Sequence, residues 1–285
     1  MTNWHCSEPF ADWLDVTWNP DDAPAQELHD WLISVDAWPF DLGKYRLGEG
    51  TVFVQHRKRF SRVSISGGAL EYMRVRGVFV DCLSLLGSSP HRVTRLDAAV
   101  DTNEAGPAAV ERYRALYPEV CYLTHKPVKV SCFLSADREG QQTGTWYAGH
   151  RTDAKVTARV YDKAHQLYEK RGELWGPRTR YEVTLRGKVG PTLKDAYDPC
   201  AAFWHYAAPA LLDAPDDAPP WGPGTAEGWE STWEPPLPAA VLKRRVSESL
   251  ELDVLVDLAD KAGPEGRNYL LSLLRRRILP ASKAA

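Results

Sequence analysis

The sequence predicts an α+β fold with a mostly antiparallel central sheet, helices on one face of it and a helical C-terminal region. The first observation is that strand-like and helix-like stretches alternate from Tyr45 to Arg186. The second is a pair of hairpin patterns. One is "VFVQHRKRFSRVSIS", and the other is "VKVSCFLS" and "TGTWYAG" around the turn-rich "ADREGQQ".

The elements between and after these hairpins follow from their periodicity. "GVFVDCLSLLG" predicts a buried helix, and "HRVTRLDAAVD" alternates as a strand. Pro107 suits the first turn of a helix that runs to about Tyr117. After the second hairpin we expect a strand ending near Tyr161, a short polar helix to about Lys170, and the strand "TRYEVTLRG".

The chain changes character beyond Pro191. An aromatic, alanine-rich helix is predicted near "CAAFWHYAAPALL", and residues 213–238 form a loop rich in Pro, Gly and acids. Two helices split by "GPEG" follow. We therefore divide the chain into an acidic, Trp-rich segment (1–44), a catalytic domain (45–190) and a helical C-terminal region (191–285).

The composition limits the classes of protein to which the chain can belong. A chain of 285 residues can bury a full core. It has no apolar run near the roughly 20 residues that span a bilayer, and its start is acidic, unlike a signal peptide. The five cysteines include no CxxC pair, which predicts reduced core thiols. The expectation is a cytoplasmic protein with no membrane partner.

The charges are segregated along the chain although the net charge is only -3. Residues 1–43 carry nine acids and no Lys or Arg, whereas residues 44–92 carry nine Lys or Arg against three acids. Residues 151–188 carry ten against five. The basic middle of the chain is a candidate phosphate-facing surface, and a solvated charged surface is the alternative interpretation.

Three predicted strands combine an apolar face with a charged one. Side chains two residues apart share a face of a strand, so Arg159, Tyr161 and Lys163 are expected to point the same way. If the strands share one sheet, their polar side chains converge on one face. These side chains are Asp97, Arg159, Tyr161, Lys163, Arg180 and Glu182, with Asp101 at a strand end.

Each of these residues alone is more often structural than functional, and only their combination predicts a site. A tyrosine hydroxyl is a poor nucleophile until its phenolate is stabilised, which Arg159 and Lys163 are placed to do. Asp97 and Asp101 lie roughly 13 Å apart along a strand, too far to share one ion. Glu182, on another strand, could hold an ion together with either aspartate, and Asp97 is the preferred partner. Carboxylate ligands favour Mg²⁺ or Mn²⁺.

Four blocks in this order resemble the replication initiation factor family, the rolling-circle initiators of small plasmids and filamentous phages. The blocks are "RVSISGGALEYMR", "VTRLDAAVD", "WYAGHRTDAKVTARVYDK" and "RYEVTLRG", and they cover about Tyr45 to Gly190. The resemblance implies a metal-dependent enzyme that nicks one strand of origin DNA. Its tyrosine becomes linked to the 5′ phosphate, and a free 3′ hydroxyl remains.

Carried over residue by residue, the resemblance assigns the nucleophile to Tyr161 and the metal-binding positions to Asp97 and Glu182, with Asp101 as a further candidate. His150 and Asp153 stand where the family has serines, which is a departure. Origin DNA, a host helicase and polymerase, and a second copy of the chain are the expected partners. The candidate DNA contacts are Arg57, Lys58, Arg59, Arg62, Arg151 and Arg180.

Two other readings remain open. The chain could be a DNA-binding regulator or replication accessory protein with the same fold and no catalysis. A structural or virion protein is a weaker alternative, because the basic middle of the chain speaks against it. Retention of Tyr161, Asp97 and Glu182 together favours catalysis.

Overall fold

The computed structural model describes residues 7–123, 126–136, 142–150, 154–172, 174–208, 210–222 and 259–278. The chain forms two compact units, Met1–Trp233 and Glu234–Ala285. The predicted boundaries of the catalytic domain, at residues 44 and 190, stay a prediction.

The described residues of the first unit form eleven strands and seven helices. The strands are β1 (Phe10–Trp18), β2 (Trp38–Asp41), β3 (Lys44–Leu47), β4 (Gly50–His56), β5 (Ser61–Ser66), β6 (His91–Thr102), β7 (Val120–Leu123), β8 (Lys126–Ala136), β9 (Gln142–Ala148), β10 (Val156–Asp162) and β11 (Thr179–Arg186). The helices are α1 (Ala25–Ser34), α2 (Gly67–Val75), α3 (Phe79–Leu86), α4 (Gly106–Leu116), α5 (Lys163–Arg171), α6 (Leu193–Tyr197) and α7 (Cys200–Ala207).

All eleven strands lie in one sheet in the order β2-β3-β4-β5-β1-β6-β11-β10-β9-β8-β7. Each described strand pair is antiparallel, which confirms the predicted α+β class. The strand β1, which the sequence analysis did not predict, lies near the centre between β5 and β6. Residues 7–44 therefore contribute to the same sheet as the residues that follow.

The three predicted charged strands, β6, β11 and β10, are neighbours in that order. Their apolar residues, among them Leu96, Val100, Val160 and Val183, are fully buried in the core. Helix α4 contacts β9 and β10, and α7 contacts β6 and β11. The opposite face of the same strands carries the polar residues, as the alternation predicted.

Lys163 does not lie on the strand that carries Tyr161, contrary to the expectation of three alternating residues. Asp162 ends β10 and caps α5, and its side chain accepts a hydrogen bond of 2.9 Å from the His165 amide. Aspartate at this position satisfies a helix N–H that has no partner within the helix. Lys163 is thus the first residue of a helix, which ends before Gly172 in the left-handed conformation at φ 70.

Four cysteines in the described part of the first unit are free, and Cys82 and Cys121 are buried. This agrees with reduced core thiols. In the second unit, one predicted tail helix is observed as α8 (Gly263–Ile278), and "GPEG" lies in its first turn. Most of the other predicted tail helix lies outside the described residues. No described helix is long and apolar enough to cross a bilayer.

The start of α4 approaches the end of β10 so closely that only glycine fits there. A Cβ atom on Gly106 would lie 2.3 Å from the Asp162 Cβ and 2.5 Å from the Asp162 Cα. Gly106→Ala should therefore lower the free energy of unfolding by about 1–3 kcal/mol, because the backbone next to Tyr161 has to move. Urea denaturation measures the change.

Gly176→Ala is the matched control for this substitution. A Cβ atom there would have no heavy atom within 4 Å, and the backbone has no positive φ. Its unfolding free energy should stay at or slightly above that of the wild type. Equal stability of the two variants would contradict the close approach of α4 to Asp162.

Candidate active site

The strands β6, β11 and β10 bring the predicted site residues into register. Arg159 lies opposite Glu182, and Tyr161 lies opposite Arg180. Asp101 lies opposite Arg180 on the other side of β11. The convergence expected from the sequence is therefore observed, because residues far apart in the chain occupy neighbouring positions on one face of the sheet.

Tyr161 lies at the centre of this cluster and is only 5% exposed. The guanidinium of Arg159 lies 5.1 Å from the centre of its ring, and the Lys163 ammonium lies 5.9 Å from it. Within the described residues, the Tyr161 hydroxyl has no hydrogen-bond partner. The hydroxyl oxygen is not among the buried polar atoms that lack a partner, so it is accessible although the ring is buried. An accessible hydroxyl on a buried ring is a candidate for a functional role.

The pKa of Tyr161 is raised above its usual value, mainly because burial disfavours the phenolate and because the Glu182 carboxylate is close. The charges of Arg180 and Arg159 act in the opposite direction but do not outweigh burial. The structure thus places the flanking cations beside the phenol as expected, but the pKa of the phenol is raised and not lowered. The cations are in place, yet the resting hydroxyl stays protonated at neutral pH.

Glu182 and Arg159 form a buried ion pair across β10 and β11. Glu182 is fully buried, and Arg159 donates a hydrogen bond to its Oε2. The Oε1 atom lacks a hydrogen bond within the described residues. Burial raises the pKa of Glu182 above its usual value, and the positive charge of Arg159 acts against that rise. The pair places a carboxylate close to the tyrosine.

Asp97 has a guanidinium of its own. Arg95 donates from Nε to Asp97 Oδ1 at 2.8 Å and from a terminal nitrogen to Oδ2. Asp97 is 1% exposed, and the Arg95 guanidinium lies 4.9 Å from the Trp13 ring. Both carboxylate oxygens of Asp97 are therefore engaged, in the bidentate geometry that arginine favours.

Asp101 belongs to a separate network at the end of β6. It accepts hydrogen bonds from Arg180 at 2.6 and 2.8 Å and from Arg178 at 2.8 Å. Arg180 is 4% exposed and also forms an ion pair of 2.7 Å with Asp12. Burial acts to raise the pKa of Asp101, but the two arginines hold the pKa below its usual value.

Asp12 is the site residue that the sequence analysis missed. It lies on β1, which carries no motif of its own, and its carboxylate reaches Arg180 from the opposite side to Asp101. A Cβ atom on Gly67 would lie 2.1 Å from Asp12 Oδ1, so the first residue of α2 must be glycine for Asp12 to sit there. The "SGG" at residues 66–68 is the feature of the sequence from which this close approach could have been predicted.

Part of this cluster lines a cleft of about 470 Å³ between the start of α2 and helix α5. Three of its side chains are acidic and six are basic. The acidic ones are Asp12, Glu49 and Asp97, and the basic ones are Arg46, Arg95, Arg159, Lys163, Lys170 and Arg171. Tyr161 also lines this cleft. Its positive excess suits a phosphate-bearing ligand.

The donor set for a divalent ion is incomplete in the described residues. No group of three or more His, Cys, Asp or Glu there could hold a metal ion. Asp97 and Glu182 are close enough for the Asp97 charge to raise the Glu182 pKa, but Arg95 and Arg159 already neutralise them. Asp101 is held by Arg178 and Arg180. As they stand, these carboxylates do not fit a bound Mg²⁺ or Mn²⁺.

The predicted DNA-contact residues fall into different places. Arg57 and Lys58 are exposed at the β4–β5 turn, and Arg59 lies in the same turn. Arg62 lies on the polar face, where it donates a hydrogen bond of 2.8 Å to Gln55 and lies 3.9 Å from Asp15. Arg180 is buried between carboxylates. Arg151 and Asp153 lie outside the described residues.

No protein-family model matches the sequence, and no curated protein matches it. Among solved structures, the chain is similar to a rolling-circle replication initiator protein from Geobacillus stearothermophilus. The similarity covers 64% of this chain and 75% of that one, at 18% identity and a TM-score of 0.42. A likeness this distant carries no weight in the assignment of a function.

Asp101→Asn should lower the free energy of unfolding by about 3 kcal/mol, because it leaves buried arginines without their counter-charge. The folded pKa of Asp101 is lowered, so its stabilisation is present at neutral pH and is lost as the pH falls through that pKa. The variant should therefore lose less stability than the wild type on acidification. Urea titrations at several pH values measure both effects.

Glu111→Gln serves as the control, since it breaks an exposed pair with Arg114 on α4. Exposed pairs of this kind contribute little to stability. A loss of stability as large as that of Asp101→Asn would show that removal of a carboxylate charge in general, and not the buried network, accounts for the effect.

Proposed function

We propose that this chain is a DNA-nicking enzyme that initiates rolling-circle replication, with Tyr161 as its nucleophile. The observation that carries the proposal is Tyr161, whose ring is buried. Its hydroxyl has no hydrogen-bond partner among the described residues and is accessible in a cleft lined by an excess of basic side chains. A hydroxyl in this setting is suited to meet the phosphate of a ligand that completes the site.

In the proposed reaction the phenolic oxygen of Tyr161 attacks a phosphodiester of one origin strand. The bond between Tyr161 Oη and phosphorus forms, and the bond between phosphorus and the 3′ oxygen breaks. The 3′ oxygen takes up a proton and leaves as a hydroxyl that can prime a polymerase. No nucleotide cofactor is consumed, since the phosphotyrosine linkage conserves the bond for rejoining.

The cations of the cleft are proposed to stabilise the charge that develops on the phosphoryl oxygens. Arg159 lies next to the tyrosine ring and remains charged, because its pairing with Glu182 raises its pKa despite burial. Guanidinium groups fixed in a partly buried site act strongly on such charge. Arg159 is held in position by Glu182, so it needs no rearrangement to act.

Lys163 is proposed as the acceptor of the Tyr161 proton. Burial, together with the nearby positive charge of Arg180, lowers the pKa of Lys163 to about 8, while Asp12 and Asp101 act against that shift. A substantial fraction of Lys163 is then neutral slightly above neutral pH. The raised pKa of Tyr161 makes such a base necessary, because the phenol does not ionise by itself.

A Mg²⁺ or Mn²⁺ ion held by Asp97 and Glu182 stays a prediction from the resemblance. To ligate an ion, these carboxylates would have to release Arg95 and Arg159. The steps above do not depend on the ion. Origin DNA remains the proposed partner, with Arg57, Lys58 and Arg59 at the exposed turn as candidate phosphate contacts. A host helicase, a polymerase and a homodimer also stay predictions.

The second candidate function, a non-catalytic DNA-binding accessory protein, is favoured by one specific observation. The carboxylates of the site are each paired with an arginine, and the Tyr161 pKa is raised. A site that had lost its reaction could keep such a self-neutralised charge cluster for stability. The two candidates differ in a single outcome, which is covalent attachment of DNA to Tyr161.

Tyr161→Phe should abolish the covalent protein–DNA adduct while DNA binding is retained. The hydroxyl makes no hydrogen bond to the described residues and is accessible to solvent, so its removal should leave the unfolding free energy nearly unchanged. The measurement is a denaturing gel after incubation of the protein with its own replicon as supercoiled DNA.

Tyr147→Phe is the control for this experiment, because Tyr147 lies opposite Arg159 on the neighbouring strand and is half-buried. This variant should form the adduct at the wild-type rate. An adduct that persists in Tyr161→Phe and disappears in Tyr147→Phe would move the nucleophile to Tyr147. No adduct with any protein, including the wild type, would favour the non-catalytic candidate.

The rate of adduct formation should rise with pH through about 8, as Lys163 loses its proton and becomes a base. Lys163→Arg stays charged at all these pH values, so its rate should be low and should lack the rise. Lys188→Arg, at an exposed position after β11 that does not line the cleft, should keep the wild-type profile. A wild-type rate that falls above pH 8 would instead show that the lysine acts as a cation.

A further inference from the structure

The edge strand β2 exposes two large aromatic side chains beside the cleft. All four of its residues are exposed; Trp38 is 72% and Phe40 is 49% exposed. Trp38 lies opposite Arg46 on β3, and the Arg46 guanidinium lies 5.7 Å from the centre of the Phe40 ring. The two rings therefore flank one arginine on the outer edge of the sheet.

Arg46 connects this aromatic pair to the candidate active site. It lines the same cleft as Tyr161, and no carboxylate lies within ion-pair distance of it in the described part of the chain. Its guanidinium is thus able to take a ligand phosphate. A second contact between a cation and a ring joins β3 to β4, where the Lys44 ammonium is 5.7 Å from the centre of the Phe53 ring and also forms an ion pair with Asp41.

Exposed rings that alternate with cations are suited to single-stranded nucleic acid. Each unpaired base stacks on an aromatic face, while the cations contact the backbone. A duplex keeps its bases stacked inside and offers no such faces. Because Arg46 belongs to both the aromatic pair and the cleft, a strand lying over Trp38 and Phe40 could continue to Tyr161.

A protein strand is a poorer occupant of this edge. An added β-strand needs a row of backbone N–H and C=O groups along the edge. Strand β2 has only four residues, Pro39 among them lacks an N–H, and the register with β3 shifts between Pro39 and Asp41. Proline and an irregular register in a short edge strand disfavour pairing with another chain.

We propose that Trp38 and Phe40 form a base-stacking surface for the single-stranded DNA segment that enters the cleft, with Arg46 binding the backbone between the surface and Tyr161. This inference rests on the proposed function for the identity of the strand. It assigns a role to the segment before Tyr45, which the resemblance does not cover.

The test compares two fluorescent oligonucleotides of equal length, one of thymidines and one with an abasic backbone of the same charge. The Trp38→Ala, Phe40→Ala double variant should bind the thymidine strand at least about 30-fold more weakly than the wild type does, at about fivefold or more per lost stack. On the abasic strand the two proteins should bind alike. Anisotropy titration measures both affinities.

Two further variants keep the test decisive. Trp38→Tyr with Phe40→Tyr retains aromatic faces and should restore most of the thymidine affinity. Leu42→Ala changes the neighbouring side chain, which is 92% exposed and cannot stack, and should bind as the wild type does. Circular dichroism checks that the alanine variant is folded, as expected for a change at exposed positions.

The proposed stacking surface would be wrong if the double variant bound the thymidine strand like the wild type. It would also be wrong if the affinity of the variant fell equally for both strands. A change from dimer to monomer without loss of DNA binding would assign the aromatic pair to a second copy of the chain. The covalent adduct is scored separately. An adduct without the stacking contrast removes this inference alone, and a stacking contrast without an adduct removes the proposed nicking reaction alone.

Discussion

Three carboxylates are buried on the polar face of the central strands, and a fourth, that of Asp12, is partly buried. Each of the four meets a guanidinium from the same strand, a neighbouring strand or, for Asp12, the next strand but one. Asp97 is paired with Arg95, Glu182 with Arg159, and Asp12 and Asp101 share Arg180. An isolated buried carboxylate would either take up a proton or unfold the region around it. The register of β6, β11 and β10 is thereby tied to charge as well as to the apolar face, since a slip of one residue would separate Glu182 from Arg159 and Asp101 from Arg180.

This arrangement creates a conflict at the tyrosine. The same burial that makes Arg159 effective toward a developing charge also raises the pKa of Tyr161, so proximity of cations alone does not make a phenolate. A chemical role then requires either a base or the arrival of a ligand that changes the electrostatic balance. Lys163 can fill the first need only because Asp162 starts a helix at that point, which turns the lysine back toward the ring.

Much of this could be predicted from the sequence, and the missing parts have physical reasons. Period-two alternation was enough to find β6, β10 and β11 and to assign their buried and polar faces, because one face of each is wholly apolar. The strand β1 was missed since its neighbours in sequence carry acids and tryptophans in no clear alternation. Asp12 was missed with it. The pairing of Glu182 with Arg159 and of Asp101 with Arg180 depends on register between distant parts of the chain, which no local pattern encodes.

The order of the strands has a consequence for how the chain reaches its native state. Strand β1 pairs with β6, and β6 pairs with β11, so that Trp18 meets His91 and Arg95 meets Arg186 across separations of more than seventy residues. Such non-local pairs close late, because the loop entropy is lost before the contacts form. During synthesis, the polar face of β6 has no counter-charges from β11 until residue 186 has been made. The assembly of the charge cluster is therefore a late event in folding, because a nascent chain that stops before β11 lacks Arg180 and Glu182, the two residues that connect the charges of β6 to those of β10.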